Sequence, residues 1–316
     1  MSKVFASAGD LAEKKATFST LAEGVYAYTA EGDPNSGVVV GDHGVMVIDA
    51  QATPQMAGRV IDRIKEVTDK PVTHLVLSHY HAVRVLGAAA YGAAEIIASK
   101  NTEAMIEERG SEDWDSEFER FPRLFQGHET IPGLTRPTRT FDDHIAIDMG
   151  NRVVEVFHPG RGHTQGDTVV WLPEEKILFA GDLVEYGATP YCGDAHLTDW
   201  PQTLTALEKL EPEKLVPGRG DALTANAQCR EAIAMTRAFI GDLFETAKQA
   251  RGSGLSLKET FDLAKERMDP QYGHWVIYEH CMPFNVARAY DEAGGIVRPT
   301  VWTAKRDKEM WAALNG

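Results

Sequence analysis

Between Gly24 and Asp49 the apolar positions alternate or fall in short runs cut by turn residues. These runs are Gly24 to Thr29, Gly37 to Val40 and, after the His43-Gly44 turn, Val45 to Ile48. The spacing predicts a β-meander. The period then changes: Met56, Val60, Ile61, Ile64 and Val67 share one face of a helix over Gln55 to Thr68, and Val72 to Leu77, after Pro71, predicts a buried strand. Glu95 to Ala98 predicts a further short strand, and Asn101 an N-cap for a helix to about Glu108. The segment Gly110 to Thr140 is charged, aromatic and Pro/Gly-bearing, and reads as an insertion over one face.

Strand spacing resumes at Ile145 to Ile147, Val153 to His158, Thr168 to Leu172 and Lys176 to Ala180. A helix over Trp200 to Leu210 and a last strand over Lys214 to Val216 follow. The second half thus repeats the strand-rich to helical order of the first. From Ala225 the pattern is helical, to Arg251 and again over Ser256 to Arg267, Pro283 to Ala293 and Ala304 to Leu314. Two regions are expected: an α/β unit over residues 1–224 and a helical C-terminal extension over 225–316 packed on it.

Composition narrows the class. The 316 residues are 43% hydrophobic and 25% charged, ordinary for a globular enzyme. A net charge of −15 repels phosphate backbones and anionic membrane surfaces, so neither nucleic acid nor membrane is an expected partner. Cys192, Cys229 and Cys281 stand far apart with no CxxC pair, which suits a reducing compartment. No signal peptide or membrane span is visible, and the expected location is the cytoplasm. The pattern leaves the oligomeric state open, a homo-oligomer included.

Chemistry concentrates at three strand ends. Leu75-Val-Leu-Ser-His79-Tyr80-His81 puts two imidazoles at i and i+2 as a buried strand runs out, and strand alternation would turn both to one side. Gly160-Arg-Gly-His163-Thr-Gln-Gly-Asp167 is a Gly-rich loop after a strand. Ile177-Leu-Phe-Ala-Gly181-Asp182 ends a buried strand on a carboxylate. Singly, an HxH pair is a weak sign and a strand-end Asp is ordinarily a turn residue. Together, three His and one Asp make a ligand set for one divalent ion.

Across Leu21 to Asp221 the chain resembles the metallo-β-lactamase-fold superfamily. The likeness runs through Asn35-Ser-Gly-Val-Val-Val, the Val45-to-Asp49 strand, Ser78-His-Tyr-His81, Gly162-His163-Thr, Gly181-Asp182 and Pro217-Gly-Arg-Gly220. The resemblance implies a four-layer αβ/βα sandwich with metal at one edge. Most members are hydrolases, and a minority are iron enzymes that use oxygen. The departures are specific: where the family has HxHxDH, Val83 replaces the Asp and Arg84 the next His, and Arg219 replaces the His of the last turn. The resemblance assigns all three missing groups to the second metal. His79, His81 and His163 would hold the first, and Asp182 normally bridges both.

One divalent ion per chain is therefore expected, zinc first and iron as the alternative, with Asp182 as fourth ligand or as base. Arg84 and Arg219 preserve positive charge where the second ion is lost. They are expected either to bind an anionic substrate group or to fill the vacated site with salt bridges. His196, Trp275, Tyr278 and His280 are further candidates for the wall of the substrate pocket, against a surface-loop role for His196 and core packing for the aromatic stretch. The remaining histidines show no ligand spacing. The favoured activity is hydrolysis of an ester, lactone, amide or ether-like bond in a small, anionic or electron-poor molecule. Ordinary β-lactam hydrolysis is not expected without the two-metal ligand set. An iron dioxygenase and a metal-free binding scaffold are the alternatives.

Overall fold

The computed structural model describes residues 4–315. Strands β1 (Thr17–Ala22), β2 (Val25–Thr29), β3 (Ser36–Gly41) and β4 (Gly44–Ile48) form an antiparallel meander. Strand β1, at the sheet edge, buries only Leu21 fully, so its hydrophobic signal is weak. Helix α1 (Pro54–Val67) is N-capped by Thr53, whose hydroxyl accepts from the Met56 N–H. Strand β5 (Val72–Val76), helix α2 (Ala82–Val85), strand β6 (Glu95–Ser99), helix α3 (Lys100–Arg120) and strand β7 (Arg139–Phe141) follow. The parallel run β4-β5-β6-β7 completes a seven-stranded sheet.

The second sheet holds β8 (His144–Asp148), β9 (Val153–Phe157), β10 (Val169–Leu172) and β11 (Ile177–Gly181) in antiparallel order. Helix α4 (Trp200–Glu208) then crosses to β12 (Lys214–Pro217), which pairs parallel with β11. Strand alternation sorts the layers. Met46 and Ile48 of β4 face Val170, Leu172, Ile177 and Phe179 in the core between the sheets. Val45 and Val47 turn outward onto Ala57, Val60 and Ile64 of α1, while Val169, Trp171, Leu178 and Ala180 turn outward onto the other helical layer. The result is the expected four-layer αβ/βα sandwich.

Helices α5 (Asn226–Gly252), α6 (Leu257–Tyr272), α7 (Tyr278–Ala293) and α8 (Ala304–Asn315) form the helical C-terminal region. They share one core with the second sheet, in which Phe239, Ile240 and Met282 join Leu178, Leu204 and Leu215. Three helices exceed the lengths their patterns predict. Helix α6 runs five residues past Arg267 to Tyr272. Helix α3 starts at Lys100 with Ser99, not Asn101, accepting from the Thr102 N–H, and continues twelve residues past Glu108 to Arg120. Beyond Glu108 its buried side is polar and charged, with Arg109, Asp113, Ser116 and Arg120, so no apolar stripe marks the extension. Helix α7 begins at Tyr278 and carries Pro283 inside it, where the proline had suggested a start. Among the described residues no helix is long and apolar enough to cross a membrane.

Candidate metal centre

Strand β5 ends at Val76, so strand alternation does not bring His79 and His81 together. The bend Ser78–His81 does, with His81 at the N-cap of α2. His163 enters from the Gly-rich loop, where Asp167 braces the backbone by accepting from the Thr164 N–H and hydroxyl, the latter at 2.7 Å. All three imidazoles are buried. The His163 Nε2 lies 3.3 Å from His79 Nε2 and 3.0 Å from His81 Nδ1. Nitrogens around a tetrahedral zinc, each bonded at about 2.0–2.1 Å, stand roughly 3.3 Å apart. The His79, His81 and His163 cluster is thus spaced to hold a metal ion.

The hydrogen bonds behind each ring decide which nitrogen is free. Ser78 Oγ donates to Asp49 Oδ2 at 2.8 Å, so it accepts from His79 Nδ1 at 2.9 Å and leaves Nε2 as a lone pair. The Tyr191 carbonyl can only accept, so His163 Nδ1 donates to it at 2.8 Å and Nε2 is again free. Asp194 accepts from His81 Nε2 at 3.3 Å, which leaves Nδ1. The three free nitrogens are the three that converge. Burial lowers His79 well below the ordinary histidine range and His163 to about 3, keeping both neutral. Burial pulls His81 down too, but Asp113, Asp194 and Glu117 outweigh it and raise His81 to about 9. A proton on His81 Nδ1 is therefore the competitor of a metal ion at this point.

Two unusual backbone positions set this arrangement. Asp49, at the end of β4, takes a left-handed φ of 62° and lies under Ser78, accepting from its N–H at 2.8 Å. Gly181, at the end of β11, has φ 53°, and a Cβ there would stand 2.9 Å from that of Ser78. The next residue, Asp182, points its Oδ2 at His163 Nε2 (3.6 Å) and His79 Nε2 (3.8 Å). Both of its oxygens are also held by guanidinium groups: Arg84 on Oδ1, and Arg219 Nη1 on Oδ2 at 2.9 Å. Burial raises its pKa, but Arg84 and Arg219 prevail and hold Asp182 well below the usual carboxylate range.

The two arginines are placed differently. Arg84 is fully buried, donating to the carbonyls of Asn35 and Gly218, each at 2.8 Å, as well as to Asp182. Asn35 in turn donates to the Pro217 and Gly220 carbonyls, tying the β12 turn to the same knot. Arg219 spends Nη1 on Asp182 and Glu185. Its Nε is buried with no partner, as is that of Arg84. Arg84 also donates through Nη2, whereas the Arg219 guanidinium bonds only through Nη1 among the described residues, so the Nε–Nη2 edge of Arg219, which lines the cavity, is unpaired.

A narrow cavity opens on the histidines, with about 20 Å³ available to the centre of a water-sized sphere, on the order of one water molecule. His81, His163, Asp182, Arg219 and Tyr191 form its floor; Val83, Phe121, Leu124, Ile277 and Cys281 form much of its apolar wall; Glu117, Arg120 and His280 complete it. Of the residues expected to bind substrate, Arg219 and His280 line this cavity, whereas Arg84, His196, Trp275 and Tyr278 do not. Trp275 packs among Phe239 and Tyr272 in the C-terminal core, and Tyr278 donates to Asp269 at 2.8 Å. His196 is buried, its Nε2 unpartnered.

Ser78, Asp49, Asp194, Glu117 and Arg120 were not legible as site residues in the sequence. Asp49 and Asp194 carry a faint signal, each an acid beside a motif; Glu117 and Arg120 carry none within a charged helix.

A profile of the metallo-beta-lactamase superfamily matches residues 29–219. The type 2 metallo-beta-lactamase of Bacillus cereus is 25% identical over 200 residues, 61% of this chain and 70% of that one. Its counterpart in Bacteroides fragilis is 23% identical over 220 residues, covering 65% and 79% of the two chains. Among solved structures, a metallo-beta-lactamase from Pontibacter korlensis superposes with a TM-score of 0.58 at 21% identity, over 72% of this chain and 99% of that one. The metallo-beta-lactamase FIM-1 from Pseudomonas aeruginosa, in its mono-zinc form, gives 0.54 at 21% identity over 72% and 95%.

Proposed function

Since the chain belongs to the metallo-beta-lactamase superfamily, we propose that it is a mononuclear metal-dependent hydrolase acting on a small, anionic or electron-poor ester, lactone, amide or ether-like substrate. The carrying observation is the convergence of three imidazole nitrogens beside an aspartate held by two arginines, which stand where the family resemblance places second-metal ligands. His79, His81 and His163 would hold one divalent ion, zinc by preference. Bound there, the ion supplies a polarised substrate carbonyl and a water of lowered pKa.

The chain's own groups do the rest. Ser78, the Tyr191 carbonyl and Asp194 hold the three rings in the required tautomers. Arg84 positions Asp182, whose carboxylate faces the histidines as an outer anion and is too tightly paired to serve as a free base. The unpaired edge of Arg219 receives an anionic group of the substrate. Val83, Phe121, Leu124 and Ile277 exclude bulk water, which strengthens these charges.

Elemental analysis of tag-free protein, followed by a screen of neutral and carboxylate-bearing esters, lactones and amides, tests this reading. About one zinc per chain is expected, with hydrolysis and metal lost together in His79→Ala and His163→Ala. Two ions per chain, iron with an Fe²⁺–nitrosyl signal, or activity surviving either substitution would overturn it.

A further inference from the structure

Two carboxylates line the cavity, and they are in opposite states. Asp182 has both oxygens held by guanidinium groups. Glu117, from the insertion helix α3, accepts from the Val83 N–H through Oε2 at 3.0 Å. Its Oε1 makes no hydrogen bond, and no cation pairs with Glu117 among the described residues. One turn earlier Asp113 accepts from the Ala82 N–H at 2.6 Å, so α3 is fastened across the first turn of α2 and Glu117 is held in register. Glu117 lines the same cavity as His81, His163 and Arg219.

Val83, whose N–H fixes Glu117, stands where the HxHxDH pattern has its carboxylate. We propose that Glu117 is the general base of this site, a carboxylate returned to the lost position from another element. The water-sized space between Glu117 and the histidines would hold the attacking water. Glu117 Oε1 takes one proton as the water O–H bond breaks, and the oxygen's electron pair forms the new bond to the substrate's electrophilic carbon. When the bond to the leaving group breaks with its electron pair, the same proton passes to that group. Glu117 ends as it began.

This assignment rests on the hydrolase reading, so its test needs a second, substrate-free readout. Glu117→Gln keeps an acceptor for the Val83 N–H while removing the base. With metal content and melting temperature at wild-type values, kcat for 4-nitrophenyl acetate should fall by about 10²–10⁴-fold with KM little changed. In cobalt(II)-substituted protein, the pH midpoint of the visible spectrum should move down by about one unit, because removing a negative charge eases ionisation of a nearby water. Wild-type kcat and an unmoved midpoint in Glu117→Gln would overturn the proposal and leave Glu117 as a cap for α2. A moved midpoint in a protein whose wild type hydrolyses no ester, lactone or amide would instead sink the hydrolase reading and uphold the placement of Glu117 beside the water.

Discussion

Arg84→Met separates a structural guanidinium from a substrate-binding one. Arg84 is fully buried and satisfies three acceptors at once: Asp182 and the carbonyls of Asn35 and Gly218. Methionine keeps much of the volume and none of the donors. Removing one partner of a buried ion pair costs about 3–5 kcal/mol, since the remaining charge stays desolvated. The two orphaned carbonyls set the direction of any excess, at roughly 1–3 kcal/mol each if they find no water. Unfolding entropy of about 2.1 cal/mol/K per residue over a 316-residue chain gives roughly 0.66 kcal/mol/K, so 3–5 kcal/mol lowers the melting temperature by about 5–8 °C. Differential scanning calorimetry of the two proteins at equal metal content measures it. Arg84→Lys should fall between them, because an ammonium cannot reproduce the planar fork. A variant melting within about 1 °C of wild type, with KM raised for carboxylate-bearing but not neutral esters, would refute the argument and turn Arg84 toward the substrate.

Arg219 should show the opposite balance: Arg219→Met raises KM for carboxylate-bearing esters by about 10–100-fold, the loss of one charged hydrogen bond, and steady-state comparison with neutral esters checks it. Ser78→Ala frees the His79 tautomer and should weaken zinc binding by about 10–100-fold in competition with a chelating dye. Gly218→Ala would drive a Cβ into the Asp182 carboxylate, costing about 1–3 kcal/mol by chemical denaturation. His280, buried and facing Arg120 and Arg219, is depressed well below the ordinary histidine range. Its unfolded form binds a proton below about 6.5 while the native form does not, so its contribution is present above that pH and lost as pH falls. Replacing it by Phe, beside Phe121 and Phe284, should remove up to about 1.4 kcal/mol per pH unit of wild-type acid sensitivity in denaturation curves recorded between about pH 5 and 7.5.

The order of strands and helices was legible because burial on one or two faces imposes a period on the sequence. Val45 to Ile48, Val72 to Val76 and Val169 to Leu172 are strands in both readings, although of Val72 to Val76, expected to be buried throughout, only Leu75 and Val76 are fully so. His79, His81 and His163 were legible too, since few other uses put an HxH pair after one buried strand and a third imidazole in a Gly-rich loop after another, and the cluster forms. Helix α3 was not. Its buried side carries charge satisfied by distant partners, such as Asp194 for Arg109 and the Ala82 N–H for Asp113, and hydrophobic period cannot report pairings across tens of residues. The same limit hid the contrast between the two arginines. A sequence states that a guanidinium stands at 84 and another at 219; which donors are consumed depends on where the Asn35 and Gly218 carbonyls arrive after folding. Local sequence thus determined the sandwich and its three histidines, because periodicity and ligand type are local properties. The tautomers, the immobilised Asp182, the unpaired edge of Arg219 and the arrival of Glu117 over Val83 were decided only by tertiary structure, because each is a contact between elements far apart in the chain.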